Sequence, residues 1–310
     1  LLPELDRELA PAPTPWAPPL SPEAYRRLPL KTWAERLQPV ARYLTDYLRH
    51  PHYGPPWWQL NVERQHGQIA VPMYHVTSWY DIFLHGGLAN FSGLRRQAMT
   101  DTARAAQKLL VGPWAHLFPY TSPTSTGTGD VDFGPAALID LHEIQLRWFD
   151  HWLKGVDTGI LDEPPVKIFV MGENRWRDEH EWPLARTRST PYYFHGGGRA
   201  NTSAGDGALS LRAPGEEPPD HFVYDPDDPV PTRGGNTLII AMGVQDQRPV
   251  EARGDVLVYT SDVVTSALEV TGPITVTLHA ATSARDTDFT AKLVDARPDG
   301  YAQNLADGIV

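Results

Sequence analysis

Apolar Trp33, Leu37, Val40, Tyr43, Leu44 and Leu48 recur at spacings of three and four, which predicts a helix over residues 30–48 with one apolar face. The stretch His50-Pro51-His52-Tyr53-Gly54-Pro55-Pro56-Trp57-Trp58 ends it. Proline removes an amide donor and excludes helical geometry from the residue before it. With Pro11, Pro13, Pro15, Pro18, Pro19 and Pro22 ahead of it, the segment 1–66 reads as a small helical subdomain.

From Gln68 the pattern changes. Ile69-Ala70-Val71-Pro72-Met73-Tyr74-His75-Val76 is a short, mostly apolar run, as expected of a strand covered on both faces, and so of a parallel sheet. A helical stretch over 83–99 and another short apolar strand over 108–111 follow, in the rhythm of a right-handed βαβ crossover. A long helix is predicted from Pro135 to Lys154, with Gly155 as its C-terminal stop, and 166–171 supplies one more strand. Residues 67–183 therefore form an α/β segment.

Beyond Pro183 the period moves to two, over 255–259, 274–278 and 289–293, with Gly, Pro and Asp turns between. Arg297-Pro298-Asp299-Gly300 fits a turn, and Asp225-Pro226-Asp227-Asp228-Pro229 a loop. Residues 184–310 are expected to be an all-β sandwich.

Composition narrows the function. A net charge of -11 with scattered Lys and Arg offers no basic surface, which argues against a nucleic-acid partner. No cysteine means no disulfide, no thiolate metal site and no cysteine nucleophile, so any nucleophile is an oxygen. No apolar run is long enough for a membrane span, and a cytoplasmic setting is favoured slightly over a secreted one. The opening Leu-Leu-Pro-Glu reads as an internal position of a longer polypeptide.

Two loops carry candidate chemistry. Ser78-Trp79-Tyr80-Asp81 is expected just past the strand ending near Val76, and Gly112-Pro113-Trp114-Ala115-His116 just past the next strand. Taken singly, Asp81 reads best as the N-cap of the helix that follows, and His116 as an ordinary loop histidine. Together, an acid after one strand and a histidine after the next are the last two members of the order Ser, Asp, His. Imidazole titrates near neutral pH and can carry a nucleophile's proton, while a carboxylate fixes its tautomer and stabilises the imidazolium.

These segments resemble the cocaine-esterase and X-Pro dipeptidyl-peptidase family of α/β-hydrolases, which includes α-amino-acid ester hydrolases and glutaryl-cephalosporin acylases. The resemblance rests on Val71-Pro72-Met73-Tyr74-His75-Val76-Thr77-Ser78-Trp79-Tyr80-Asp81, Leu110-Val111-Gly112-Pro113-Trp114-Ala115-His116 and Phe149-Asp150-His151-Trp152-Leu153-Lys154-Gly155. Further support comes from Phe169-Val170-Met171-Gly172-Glu173-Asn174-Arg175-Trp176-Arg177, from 224–231 and from 286–295. It implies a helical cap (1–66), the C-terminal part of an α/β-hydrolase domain (67–183) and a jelly-roll domain (184–310) that helps wall the active site. It also implies Asp81 as triad acid, His116 as base, small ester, amide or peptide substrates, and no cofactor or required metal.

Two departures stand out. Thr77-Ser78 replaces glycines common in relatives, and no Gly-x-Ser-x-Gly frame occurs anywhere. The nucleophile is therefore expected before Leu1, and further jelly-roll strands beyond Val310. Trp57, Trp58 and Trp79 are candidate substrate contacts, although packing between cap helices accounts for the first two as well. A zinc site from His75, His85, His116 and Asp81 is disfavoured because His75 falls within a strand, and Asp286, Asp288 and Asp295 are expected to be solvated rather than to bind calcium. The competing readings are a non-catalytic jelly-roll binding module, disfavoured by the strand-end pair, and a site completed by a separate N-terminal chain. A homo-oligomer stays open.

Overall fold

A computed structural model describes residues 42–116, 126–238 and 241–310, together with positions 26, 29, 32, 33 and 38. Most of positions 30–41 of the first predicted helix lie outside the described residues, and its end is α1 (Arg42–Arg49). Two compact units emerge, one of Leu1–Val71 with Gly93–Ala105 and one of Pro72–Ser92 with Ala106–Val310.

In the first unit α1 is followed by a single turn, α2 (Pro55–Trp58), which starts on proline where a missing amide costs nothing. A 3₁₀ run, Val62–Gln68, is capped by Asn61, whose side chain accepts from the Glu63 amide. Its buried His66 lies so close to Gly93 that a methyl there would stand 2.2 Å from the ring.

The second unit is built on a four-stranded sheet in the order β1 (Tyr74–Tyr80), β2 (Lys108–Ala115), β5 (Val166–Val170), β6 (Arg175–Glu179). The first three run parallel and β6 closes the edge antiparallel to β5. Every residue of β2 is buried, as a parallel strand covered on both faces requires. Leu109 and Val111 point to one face, where they join Phe91, Val166, Ile168 and Leu184 beside Leu84 and Leu88 of α3 (Leu84–Gln97). Leu110 points to the other, against Leu141, Ile144 and Trp148 of a later helix. Each such side chain contributes roughly 1.5–3 kcal/mol on burial.

Most predicted elements appear with adjusted ends. Strand β1 begins later than expected and runs on to Tyr80, so Ser78 to Tyr80 belong to the strand rather than to a loop after it. The predicted 135–154 helix is split into a 3₁₀ turn, Pro135–Ala137, and an α-helix after α4 (Asp101–Ala105), namely α5 (Leu141–Lys154). The reason is Asp140, which caps α5 by accepting from the Glu143 amide and is itself extended. Gly155 does stop the helix, at φ 71°.

The β-rich half departs further. The short β3 (Gly127–Thr128) and β4 (Val131–Asp132) pair with each other, and β7 (Tyr193–His195), β8 (Ala208–Ser210) and β9 (Thr260–Ser261) form a small sheet. Residue stretch 289–293 is taken up by β10 (Thr290–Ala296), which pairs antiparallel with β11 (Ala302–Ile309) across the predicted turn, with Gly300 at φ 85°. By contrast 255–259 makes only an isolated bridge, Leu257 to Asn201, and 274–278 joins no ladder among the described residues. Alternation alone does not make a strand; a hydrogen-bonding neighbour does. The neighbouring chain is instead held by a bidentate ion pair, Arg177 to both Glu269 oxygens at 3.0 and 2.7 Å.

Two outcomes are expected. Gly112→Ala would place a methyl 2.2 Å from the ring of Trp114, itself buried, so urea unfolding should show a loss of about 1–3 kcal/mol; an unchanged midpoint would mean the ring can move aside. Arg177 holds the Glu269 carboxyl down to about 2, so its stabilisation is complete above the unfolded value of about 4.3 and disappears as pH falls through about 2. Limited proteolysis near Glu269 should increase over that window with an acid-active protease, and Glu269→Gln should show it already at neutral pH.

Candidate active site

Strands β1 and β2 pair in register from Tyr74 with Lys108 to Ser78 with Gly112, after which Tyr80 faces Ala115. The extra residue on β2 is a bulge, and it re-aims both strand ends. The Ser78 hydroxyl ties them by donating to the Ala115 carbonyl at 3.0 Å. Asp81 and His116 are the next residues along.

His116 Nδ1 lies 3.0 Å from Asp81 Oδ1. Asp81 is only 2% exposed, whereas the His116 side chain keeps 26% of its surface open. The same Oδ1 accepts the Phe83 amide at 2.9 Å, and the Phe83 ring meets the imidazole edge-on with centroids 5.2 Å apart. One carboxylate oxygen thus makes both contacts: it caps the turn into α3 and lies within hydrogen-bond distance of a histidine. An imidazole held this way at Nδ1 has Nε2 as the nitrogen suited to proton transfer.

The other predicted site residues fall elsewhere. Trp79 is half-buried, its indole N–H donating to the Phe169 carbonyl at 2.7 Å and its ring against Trp182. Trp57 and Trp58 lie in the first unit, where Trp57 donates to the His50 carbonyl and packs on Tyr47, and Trp58 lies under the Arg64 guanidinium. His75 sits in β1 at 2.9 Å from Gln107 Oε1, and no His, Asp or Glu group suited to a metal ion occurs among the described residues. The resemblance did not point to Asn236, whose side-chain amide donates to the Asp81 carbonyl at 2.7 Å and the Trp79 carbonyl at 3.4 Å.

A second serine, histidine and carboxylate array borders a cavity of about 400 Å³ in the β-rich part. His195 Nδ1 is 2.8 Å from Glu217, and Nε2 is 3.0 Å from Ser210 Oγ. However, Nε2 also lies 2.9 Å from the Arg212 carbonyl, an acceptor that calls for a hydrogen on that nitrogen. A nitrogen donating there cannot take the Ser210 proton, so this array holds a hairpin rather than activating a nucleophile.

The family model for X-Pro dipeptidyl-peptidase (S15 family) matches residues 12–118, and that for the X-Pro dipeptidyl-peptidase C-terminal non-catalytic domain matches 158–310. The chain belongs to this family of hydrolases, the X-Pro dipeptidyl-peptidase and cocaine-esterase family. Cocaine esterase of Rhodococcus sp. (strain MB1 Bresler) is 42% identical over 266 residues, which are 84% of this chain and 44% of that protein. An aminopeptidase from a marine sediment archaeon, Thaumarchaeota archaeon, has the same fold over 90% of this chain and 46% of its own, with a TM-score of 0.67 at 24% identity. An α-amino acid ester hydrolase does so with a TM-score of 0.65 at 22% identity, over 90% of this chain and 47% of its own. The chain thus spans less than half the length of these relatives. No helix among the described residues is long and apolar enough to cross a membrane.

If Ser210 is structural, a fluorophosphonate probe should leave it unmodified in the 310-residue chain, read by intact mass and peptide mapping. Stoichiometric labelling at Ser210 would instead make the His195 array a working nucleophilic site.

Proposed function

We propose that the chain supplies the acid, Asp81, and the base, His116, of a serine hydrolase that cleaves esters or amides through an acyl-enzyme. The observation that carries this is the buried Asp81 carboxylate at 3.0 Å from His116 Nδ1, at the ends of adjacent parallel strands. In the proposed cycle His116 takes the proton of an attacking serine hydroxyl and returns it to the leaving alcohol or amine. Asp81 keeps Nδ1 protonated and stabilises the imidazolium. Water then repeats the sequence on the acyl-enzyme. Because residues 1–310 contain no Gly-x-Ser-x-Gly frame, the proposal places the nucleophile, with part of the oxyanion hole, on a segment they do not include.

Residues 184–310 are proposed to belong to a jelly roll, which the antiparallel β10–β11 and β7–β8 pairs support. The description of the matching family model favours a non-catalytic role for that part. Trp57, Trp58 and Trp79 remain proposed substrate contacts, and their replacement should act on KM. Small esters, amides and peptides fit the proposal, among them the cocaine, amino-acid ester and peptide substrates that the relatives' names indicate.

In the polypeptide that joins this chain to its nucleophile, His116→Ala should slow single-turnover acylation by a nitrophenyl ester roughly a hundredfold more than Asp81→Asn does. Histidine moves the proton, whereas the carboxylate only orients and stabilises it. Thermal melts should stay close to the parent, since neither change removes a large apolar group. A folded His116→Ala protein that acylates at the parental rate would remove the base from the scheme and end the proposal.

A further inference from the structure

Two asparagines from the β-rich part, Asn236 and Asn304, close around the strand end that carries Asp81. Asn236 Nδ2 donates to the carbonyls of Asp81 and Trp79 at 2.7 and 3.4 Å. The buried Tyr80 hydroxyl donates to the Asn304 carbonyl at 2.9 Å, and burial pushes that phenol up, so it stays a donor. Asn304 in turn donates from its side-chain amide to the Gly243 carbonyl at 3.1 Å and accepts from the Gln245 amide at 2.7 Å. Gly243 pairs with Gly235, next to Asn236, through reciprocal bonds of 2.7 and 3.0 Å. The circuit is therefore closed from Tyr80 through Asn304, Gly243 and Gly235 to Asn236 and back to Asp81.

Glycine is required twice along it. Gly235 has φ 81° and Gly243 φ 79°, and a methyl would meet Asp307 Oδ2 at 2.2 Å from the first and Thr128 Oγ1 at 2.0 Å from the second. The backbone approach that delivers Asn236 is thus built into the sequence.

We infer that Asn236 is a positioning residue for the catalytic acid, so that the part matched by a "non-catalytic" family model sets the aim of Asp81. The inference rests on the proposed triad. The physical reason lies in peptide planarity. The Trp79 carbonyl belongs to the peptide before Tyr80, and the Asp81 carbonyl to the peptide after Asp81. One amide, using both of its hydrogens, grips the two planes, and Asn304 holds the Tyr80 side chain between them. What the grip removes is rotation about the Tyr80 and Asp81 backbone, which would swing the carboxylate away from His116. A shift of the order of 1 Å at such a group costs up to about a hundredfold in rate.

The test uses the polypeptide carrying the nucleophile, a nitrophenyl ester and four variants. Asn236→Ala should lower kcat about tenfold with KM within about twofold. Asn236→Asp, which keeps the shape and removes both donors, should do the same. Asn201→Ala is the control, because Asn201 also donates to two carbonyls, those of His221 and Gly254, at 2.9 Å each, away from the strand end. It should lower the melting temperature without changing kcat. The inference is overturned if Asn236→Ala keeps kcat within twofold, if Asn236→Asp retains parental kcat, or if Asn201→Ala loses kcat as much as Asn236→Ala. His116→Ala separates the levels: a dead His116→Ala with a normal Asn236→Ala removes the clamp alone, whereas an active His116→Ala removes the triad and the clamp with it.

Discussion

The parallel pairing of β1 with β2 is the constraint on which the site depends. Parallel neighbours end on the same side of a sheet, so two residues 35 positions apart in sequence can meet only if those strands keep their register. The register is protected by burial: β2 has apolar side chains on both faces, and a slip by one residue would exchange Leu109 and Val111 with Leu110 between two different core clusters. The bulge past Gly112 then allows His116 to turn toward Asp81, and packing of Trp114 over Gly112 holds that bulge in place.

What was legible in the sequence follows from range of interaction. Runs such as 108–111 and 166–171 declare buried strands because apolar residues occupy consecutive positions, and Gly155 and Gly300 declare a helix stop and a turn because each needs a positive φ. The closeness of Asp81 and His116 was legible from their places near the ends of successive apolar runs, while the roles proposed for them rest on their pairing and on the family resemblance. Asn236 and Asn304 were not, since each is a polar residue among others whose partner lies 155 or 224 positions away. No local pattern announces a contact of that kind.

The failures are as physical as the successes. Stretches 255–259 and 274–278 alternate as strands do, yet alternation describes only which side chains share a face, not whether a neighbour offers amides and carbonyls. Ile274, Val276 and Leu278 are accordingly about half exposed. Asp140 made the opposite kind of difference, where one capping carboxylate divided a periodic stretch that the pattern joined.

Asp81 also bears on how a capping residue and a catalytic one are told apart. The two readings are alternatives in the sequence, but one oxygen makes both contacts, accepting from Phe83 and lying at a nearly equal distance from His116 Nδ1. Capping a turn needs an acceptor oxygen held in place, and orienting a histidine needs the same. In the proposed triad the strand-to-helix turn would therefore hold the acid in place before any substrate arrives. Because a buried carboxylate is costly unless its acceptor sites are filled, the Phe83 amide removes part of that cost in the resting state. Local structure at the sheet end and the proposed chemistry consequently meet in one side chain, so Asp81→Asn keeps an oxygen for the Phe83 amide and with it the turn, while removing the charge that an imidazolium at His116 would meet.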